Sequence, residues 1–193
     1  MNVQQADPDW ENRIFKKVLD AHKKRKGYRS YWFWPDNRIK ERGVVCDLLE
    51  AMEVAGEQHD IINVRSCMTD PPDCVGITER DKSIAFEATE LVDTLWKASG
   101  FPWKEWSPTE LITKLRAIIS KKDAKIFHDG PYSKKILVIH TNEPLLRHSD
   151  CRKYLHGQNF GPSRQISEVY LLFPPDPHPN QARTVCPFLR LEI

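Results

Sequence analysis

Asp73 and Glu87 are the residues with which chemistry could begin. Thirteen residues separate them within PPDCVGITERDKSIAFEATELVD, residues 71–93. In SIAFEATEL, Ile84, Phe86 and Ala88 share one strand face, while Ala85, Glu87 and Thr89 share the other, because strand side chains alternate. Glu87 therefore stands in the middle of a run that reads as core. Burying even a polar group there without a partner costs roughly 2–7 kcal/mol. A turn at the charged ERDK, residues 79–82, folds two strands together and brings Asp73 beside Glu87 or Thr89. Only a register that points Asp73 to the face of Glu87 pairs the two carboxylates, and directly opposite residues have Cβ atoms about 4.5–5.5 Å apart. Like charges that close repel. A hard divalent cation relieves the repulsion, and Mg2+ (or Mn2+) takes such oxygen ligands.

The elements that must hold this pair read from the pattern around it. Residues 7–26 predict a first helix, with Asp7 as cap, Pro8 at its first position, and Trp10, Ile14, Val18 and Ala21 on one stripe. Residues 37–57 predict a second helix with Val45, Leu48, Leu49 and Met52 on one face. The alternation of IINVRSCM, 61–68, predicts a strand before the hairpin. Ser107 and Glu110 form a capping box with Pro108 at the first helical position, which predicts a helix over the following run. KKILVIHT, 134–141, predicts a buried strand. A short helix at 149–157, a strand at 168–173 and a closing strand in PFLRLEI complete the order.

The Pro72-Asp73 pair, the Glu87-Ala88-Thr89 triplet across the hairpin and the order helix–strand–strand–strand–helix–strand resemble the PD-(D/E)XK phosphodiesterase superfamily. The likeness covers roughly 37–173. It implies an α/β protein with a restriction-endonuclease-like core, a mixed central sheet flanked by helices. It also implies that Asp73, Glu87 and the carbonyl of Ala88 hold Mg2+, which activates a water against phosphorus. The sequence departs from the family at the lysine position, where Thr89 stands and can supply no positive charge. Members of the superfamily sometimes move that charge to the following helix. There, at about 100° per residue, Lys122 falls near the centre of the Leu111–Leu115–Ile118 stripe and Lys125 near its edge, whereas Lys114 and Lys121 fall well off it. Lys122 is the candidate for the missing charge and Lys125 its substitute, although lysines at a helix C-terminus also suit the helix dipole alone. Many superfamily members carry a glutamate on the preceding helix. Glu41 lies on the stripe of Val45, Leu48 and Met52, so it is the candidate further ligand, while Glu50 and Glu53 fall to the side.

The segment HKKRKGYRSYWFW, 22–34, sets Lys23, Lys24, Arg25, Lys26 and Arg29 beside aromatic residues. Cations suit phosphate contacts and aromatic rings suit base stacking. The basic residues are read as a nucleic-acid contact, and the aromatics as an apolar anchor. His148, Cys151 and His156 lack a fourth zinc ligand at proper spacing, and Cys74 reads as a buried thiol rather than a nucleophile. Gln165 and Tyr170 are read as loop or core residues. No Gly-rich phosphate loop is present.

The chain has 193 residues with a net charge of +2, so affinity for a polyanion has to come from local patches. Apolar residues make up 40% and charged residues 29%, the balance of a globular domain. One domain over 1–193 is expected: a core at 37–173, an N-terminal helix and basic–aromatic extension at 1–36, and a C-terminal strand extension at 174–193. Neither a signal-peptide pattern nor a run of eighteen apolar residues is read, and no membrane partner is expected. Five scattered cysteines without a CxxC pair suggest reduced thiols and a cytoplasmic location.

These readings together predict a Mg2+-dependent nuclease hydrolysing phosphodiester bonds, with DNA ahead of RNA as substrate. Asp73 and Glu87 are the metal ligands, Lys122 orients the water and Thr89 hydrogen-bonds nearby. Two alternatives stand beside it: a catalytically inactive nucleic-acid-binding protein on the same fold, or a non-nuclease α/β interaction or inhibitor protein. In the last, Asp73 and Glu87 merely bond to backbone amides or to arginine. Oligomeric state is left open, a homodimer among the options.

Overall fold

The computed structural model describes residues 36–92, 105–143, 145–175 and 185–193. Helix α1, Asn37–Ala55, is capped by Asp36, whose carboxylate accepts the Arg38 N–H at 2.8 Å. It ends at Gly56, where φ is 77° and the left-handed turn favours a residue without Cβ. That turn stops the helix two residues before the end predicted from the pattern at 37–57. Strand β1, Ile61–Ser66, is likewise shorter than the predicted 61–68, because the chain leaves the ladder for the irregular loop before Asp73. Strands β2, Cys74–Thr78, and β3, Ser83–Leu91, form the expected hairpin. Helix α2, Pro108–Asp123, opens with the full Ser107–Glu110 capping box. Strand β4, Lys134–Thr141, helix α3, His148–Leu155, and strands β5, Glu168–Leu172, and β6, Phe188–Leu191, follow. Helix α3 begins and ends slightly earlier than the predicted 149–157, and the fifth strand stops one residue short of 173. The predicted helix at 7–26 and the basic run at 23–29 lie outside the described residues.

The fold is α/β, with a six-stranded mixed sheet flanked by the three described helices. The strands lie in chain order, β1-β2-β3-β4-β5-β6. The β1–β2, β2–β3 and β5–β6 pairs are antiparallel, and β3–β4 and β4–β5 are parallel. Strand β6 thus belongs to the same sheet as the rest, and Phe160 N–H donates to Glu192 O at 2.7 Å beside it.

Alternation along the central strands sorts the core into two clusters. Ile84, Phe86 and Ala88 of β3 join Ile136 and Val138 of β4 under Val44, Val45, Leu48 and Met52 of α1. Leu137 and Ile139 of β4 and Val169 and Leu171 of β5 pack on the other face with Leu111, Leu115 and Ile119 of α2 and Cys151 and Leu155 of α3. The parallel strands are covered on both sides, which is why β4 reads as an unbroken apolar run rather than an alternating one. Glu87 has the opposite parity to Phe86 and Ala88, so its carboxylate emerges on the side of α2.

A carboxylate cluster closed by two lysines

The hairpin register places the first pair. Cys74 is opposite Phe86, so Asp73, one residue before β2, lies opposite Glu87, and its N–H donates to Phe86 O at 3.1 Å. The Asp73 carboxylate accepts the Ala88 N–H at 2.7 Å. Asp73 is 9% exposed and Glu87 0%. Asp70, in the loop leading to Asp73, joins them, and the ligand oxygens of Asp70, Asp73 and Glu87 all lie within 4.8 Å of one another. Among the described residues this is the one cluster of three or more side chains suited to a metal ion. His148, Cys151 and His156 form none: Cys151 is buried in the core beneath α3, and the His148 ring packs edge-on against Phe173 at 5.3 Å.

Two ammonium groups close the cluster. Lys122 Nζ donates to Glu87 Oε1 at 2.6 Å and lies 3.4 Å from the Ala88 carbonyl. Lys125 Nζ donates to the same Glu87 oxygen at 2.6 Å and to Asp70 Oδ1 at 3.1 Å. Glu87 Oε1 is therefore shared by two cations, while the buried Oε2 has no hydrogen-bond partner among the described residues. Thr89 lies two residues further along β3 on the same strand face as Glu87 and is half-buried.

Charges crowd each other here, and the acids show it. Burial, reinforced by Glu87, pushes Asp73 up to about 6 against the Ala88 N–H and Lys122. Burial also lifts Glu41 to about 7, with further contributions from Asp73, Asp70 and Glu87, and Lys122 opposing. Glu41 on α1 thus lies within electrostatic reach of the cluster, although no hydrogen bond joins it to Asp73 or Glu87. Burial disfavours the charge of Lys125, but its bonds to Glu87 and Asp70 outweigh this and hold its ammonium above the ordinary value. Cys74, fully buried behind Asp73, is raised by burial out of the range of a nucleophilic thiolate.

A second carboxylate fixes the backbone that carries the lysines. Asp123, the last residue of α2, accepts Ser163 Oγ at 2.5 Å and the N–H groups of Arg164, Gln165 and Ile166 at 2.8–2.9 Å. Gln165 then donates its side-chain amide to the Lys125 carbonyl at 2.8 Å. The loop before β5 therefore clamps the end of α2, with Lys122 on one side of Asp123 and Lys125 on the other. Tyr170 donates to Glu168 Oε2 at 2.8 Å and is buried in the sheet, away from the cluster.

Sequence reasoning missed Asp70, Asp123 and the tie from Gln165. Asp70 carried one visible signal, its place three residues before Asp73 in an Asp-Pro-Pro-Asp run. The residues present fit a hard divalent cation: three carboxylates converge, and one buried carboxylate oxygen stands without a partner.

No family model matches this chain, and no curated protein matches it. A solved structure of a protein of unknown function from Pseudomonas aeruginosa strain PAO1, described with the monooxygenase superfamily, is similar over 94% of this chain and 96% of that one. The identity is 14% and the TM-score 0.39. None of these comparisons supports the Mg2+-dependent nuclease expected from the sequence, and that reading is corrected to its non-nuclease alternative. At this TM-score the likeness carries no activity over to this chain.

Proposed function

We propose that this chain is a non-nuclease α/β interaction protein whose acidic cluster has a structural role rather than a hydrolytic one. The observation that carries the reading is the pairing of the two carboxylates with groups of the protein itself. Asp73 holds a backbone N–H, and Glu87 holds two lysines. Mg2+ or Mn2+ is the proposed cofactor of the cluster, held by Asp70, Asp73 and Glu87 with the Ala88 carbonyl nearby and Glu41 as an outer acid. When bound, such an ion supplies positive charge to crowded carboxylates. The protein's own residues hold the hairpin to the end of α2. The resemblance to the PD-(D/E)XK superfamily stays a proposal of shared ancestry, supported by the element order and by Asp73 facing Glu87.

Nucleic acid, DNA before RNA, is the proposed partner class, and the basic run Lys23 to Arg29 in the sequence favours it. Reduced cysteines support a cytoplasmic location. No described helix is long and apolar enough to cross a membrane.

The test incubates the pure chain with supercoiled, linear and single-stranded substrates, with and without Mg2+ or Mn2+. The expected result is intact substrate for both the parent and Glu87→Gln. Cation-dependent cleavage by the parent that disappears in Glu87→Gln overturns the reading. In the same samples, retardation of DNA should weaken steeply with salt. When the basic residues at 23–29 become Ser, its log–log slope should shallow by about 0.7–0.9 for each phosphate that is no longer neutralised.

A further inference from the structure

We infer that the Lys125 ammonium is a built-in stand-in for a divalent cation, and that an ion entering the cluster displaces Lys125 but not Lys122. The inference rests on the cation reading proposed above. Lys125 Nζ bridges two of the three clustered carboxylates, at 2.6 Å from Glu87 and 3.1 Å from Asp70. It neutralises the oxygens that an ion would need. The unpartnered Oε2 of Glu87, on a side chain with no exposure, marks the acceptor capacity that the two ammonium groups leave unused.

Several observations separate the two lysines. Lys122 sits within α2, has a side chain 15% exposed, and reaches both Glu87 and the Ala88 carbonyl. Lys125 lies beyond the end of α2 with a side chain 30% exposed, and its second partner, Asp70, is 70% exposed. Its side chain thus has a route to water. Its main chain does not need to move, because Gln165 holds the Lys125 carbonyl and Asp123 anchors the helix end. Displacement exchanges one ammonium for a divalent ion and leaves the fold in place. An exposed ion pair such as Lys125–Asp70 contributes little by itself, so the barrier to release is set by the Glu87 contact.

Mn2+ binding followed by electron paramagnetic resonance, with the full chain at neutral pH, tests this. Lys125→Met keeps an apolar stem and removes the competing charge. It should bind Mn2+ at least about tenfold more tightly than the parent, the gain expected when a nearby unit charge is removed from a partly screened site. Its metal-free thermal midpoint should fall, and saturating Mn2+ should restore it. Lys125→Arg, which keeps the charge and offers a fork to carboxylates, should bind Mn2+ no more tightly than the parent. This variant keeps the test decisive if Lys125→Met folds poorly without metal. Equal or weaker Mn2+ binding by Lys125→Met in a parent that binds Mn2+ overturns the displacement and leaves the cation reading standing. So does tighter binding by Lys125→Arg. Absence of Mn2+ binding in the parent and in both variants overturns the cation reading and the displacement together.

Discussion

Replacing Asp123 by Asn is the sharpest perturbation of the frame that presents the lysines. Asp123 is 9% exposed, and its carboxylate accepts one hydroxyl and three backbone N–H groups from residues 163–166. Burial alone would raise its pKa, but Ser163 and the three N–H groups outweigh burial and hold it at about 2, against an ordinary 3.8. At about 1.4 kcal/mol per pH unit, and less where water screens the carboxylate, that difference corresponds to at most about 2 kcal/mol of stability at neutral pH. Asn retains one acceptor oxygen and points an amide donor at groups that are donors themselves, so part of the network is left unsatisfied. Urea unfolding should show Asp123→Asn less stable by about 2–3 kcal/mol at pH 7. The sign with pH follows from the depressed value. The contribution is complete above the unfolded value of 3.8 and disappears as pH falls through about 2. The gap between parent and variant should therefore close across that acid window. A variant within about 0.5 kcal/mol of the parent at pH 7, or a gap that ignores pH, refutes the account of the clamp.

Lys122→Met and Lys125→Met each leave Glu87 one cation. The double variant leaves a fully buried carboxylate with none and should lose about 3–5 kcal/mol, more than the sum of the single losses, in denaturant titrations. Simple additivity counts against the shared oxygen. Glu41 has a raised value of about 7 against an ordinary 4.5, so its contribution is complete below the latter and lost as pH rises through the former. The parent's thermal midpoint should decline across that window, and Glu41→Gln should flatten the decline; parallel profiles for the two proteins refute it. Gly76→Ala should cost about 1–3 kcal/mol. A Cβ there meets Phe86 Cε2 at 2.9 Å and Ile61 Cγ2 at 3.0 Å, and an unchanged urea midpoint refutes that prediction.

The parts legible in the sequence are those with a local signature. Strand β4 matches its predicted ends because an apolar run between polar flanks has few other readings. Helix α2 starts where its capping box says it must. Asp73 facing Glu87 follows from the turn and the two-residue period of strands. Lys122 reaches Glu87 from the inward stripe of its helix. The remaining features depend on contacts that periodicity does not encode. Lys125 looked marginal on a helical wheel because the wheel no longer applies beyond Asp123, where the helix ends. Asp123 meets partners about forty residues away in an irregular loop, and Asp70 approaches Glu87 from another. Such positions are set by tertiary closure, which leaves no repeat in the chain. The nuclease expectation failed for a different reason, since residue types in a short motif specify a place for chemistry without specifying that chemistry.

Because the acids of the cluster precede its lysines in the chain, the two halves of the cluster are made at different times. A ribosome releases Asp70, Asp73 and Glu87 with the first hairpin, and Lys122 follows Glu87 by 35 residues. At about 5–20 residues per second, the young hairpin carries its three acids for roughly 2–7 s without either lysine. During that interval the two ammonium groups that close the cluster are absent, and protons, water or a cation from the surroundings can stand in for them. On the cation reading proposed above, the availability of divalent ions bears on how readily the hairpin closes during synthesis, before the finished protein exists to bind one.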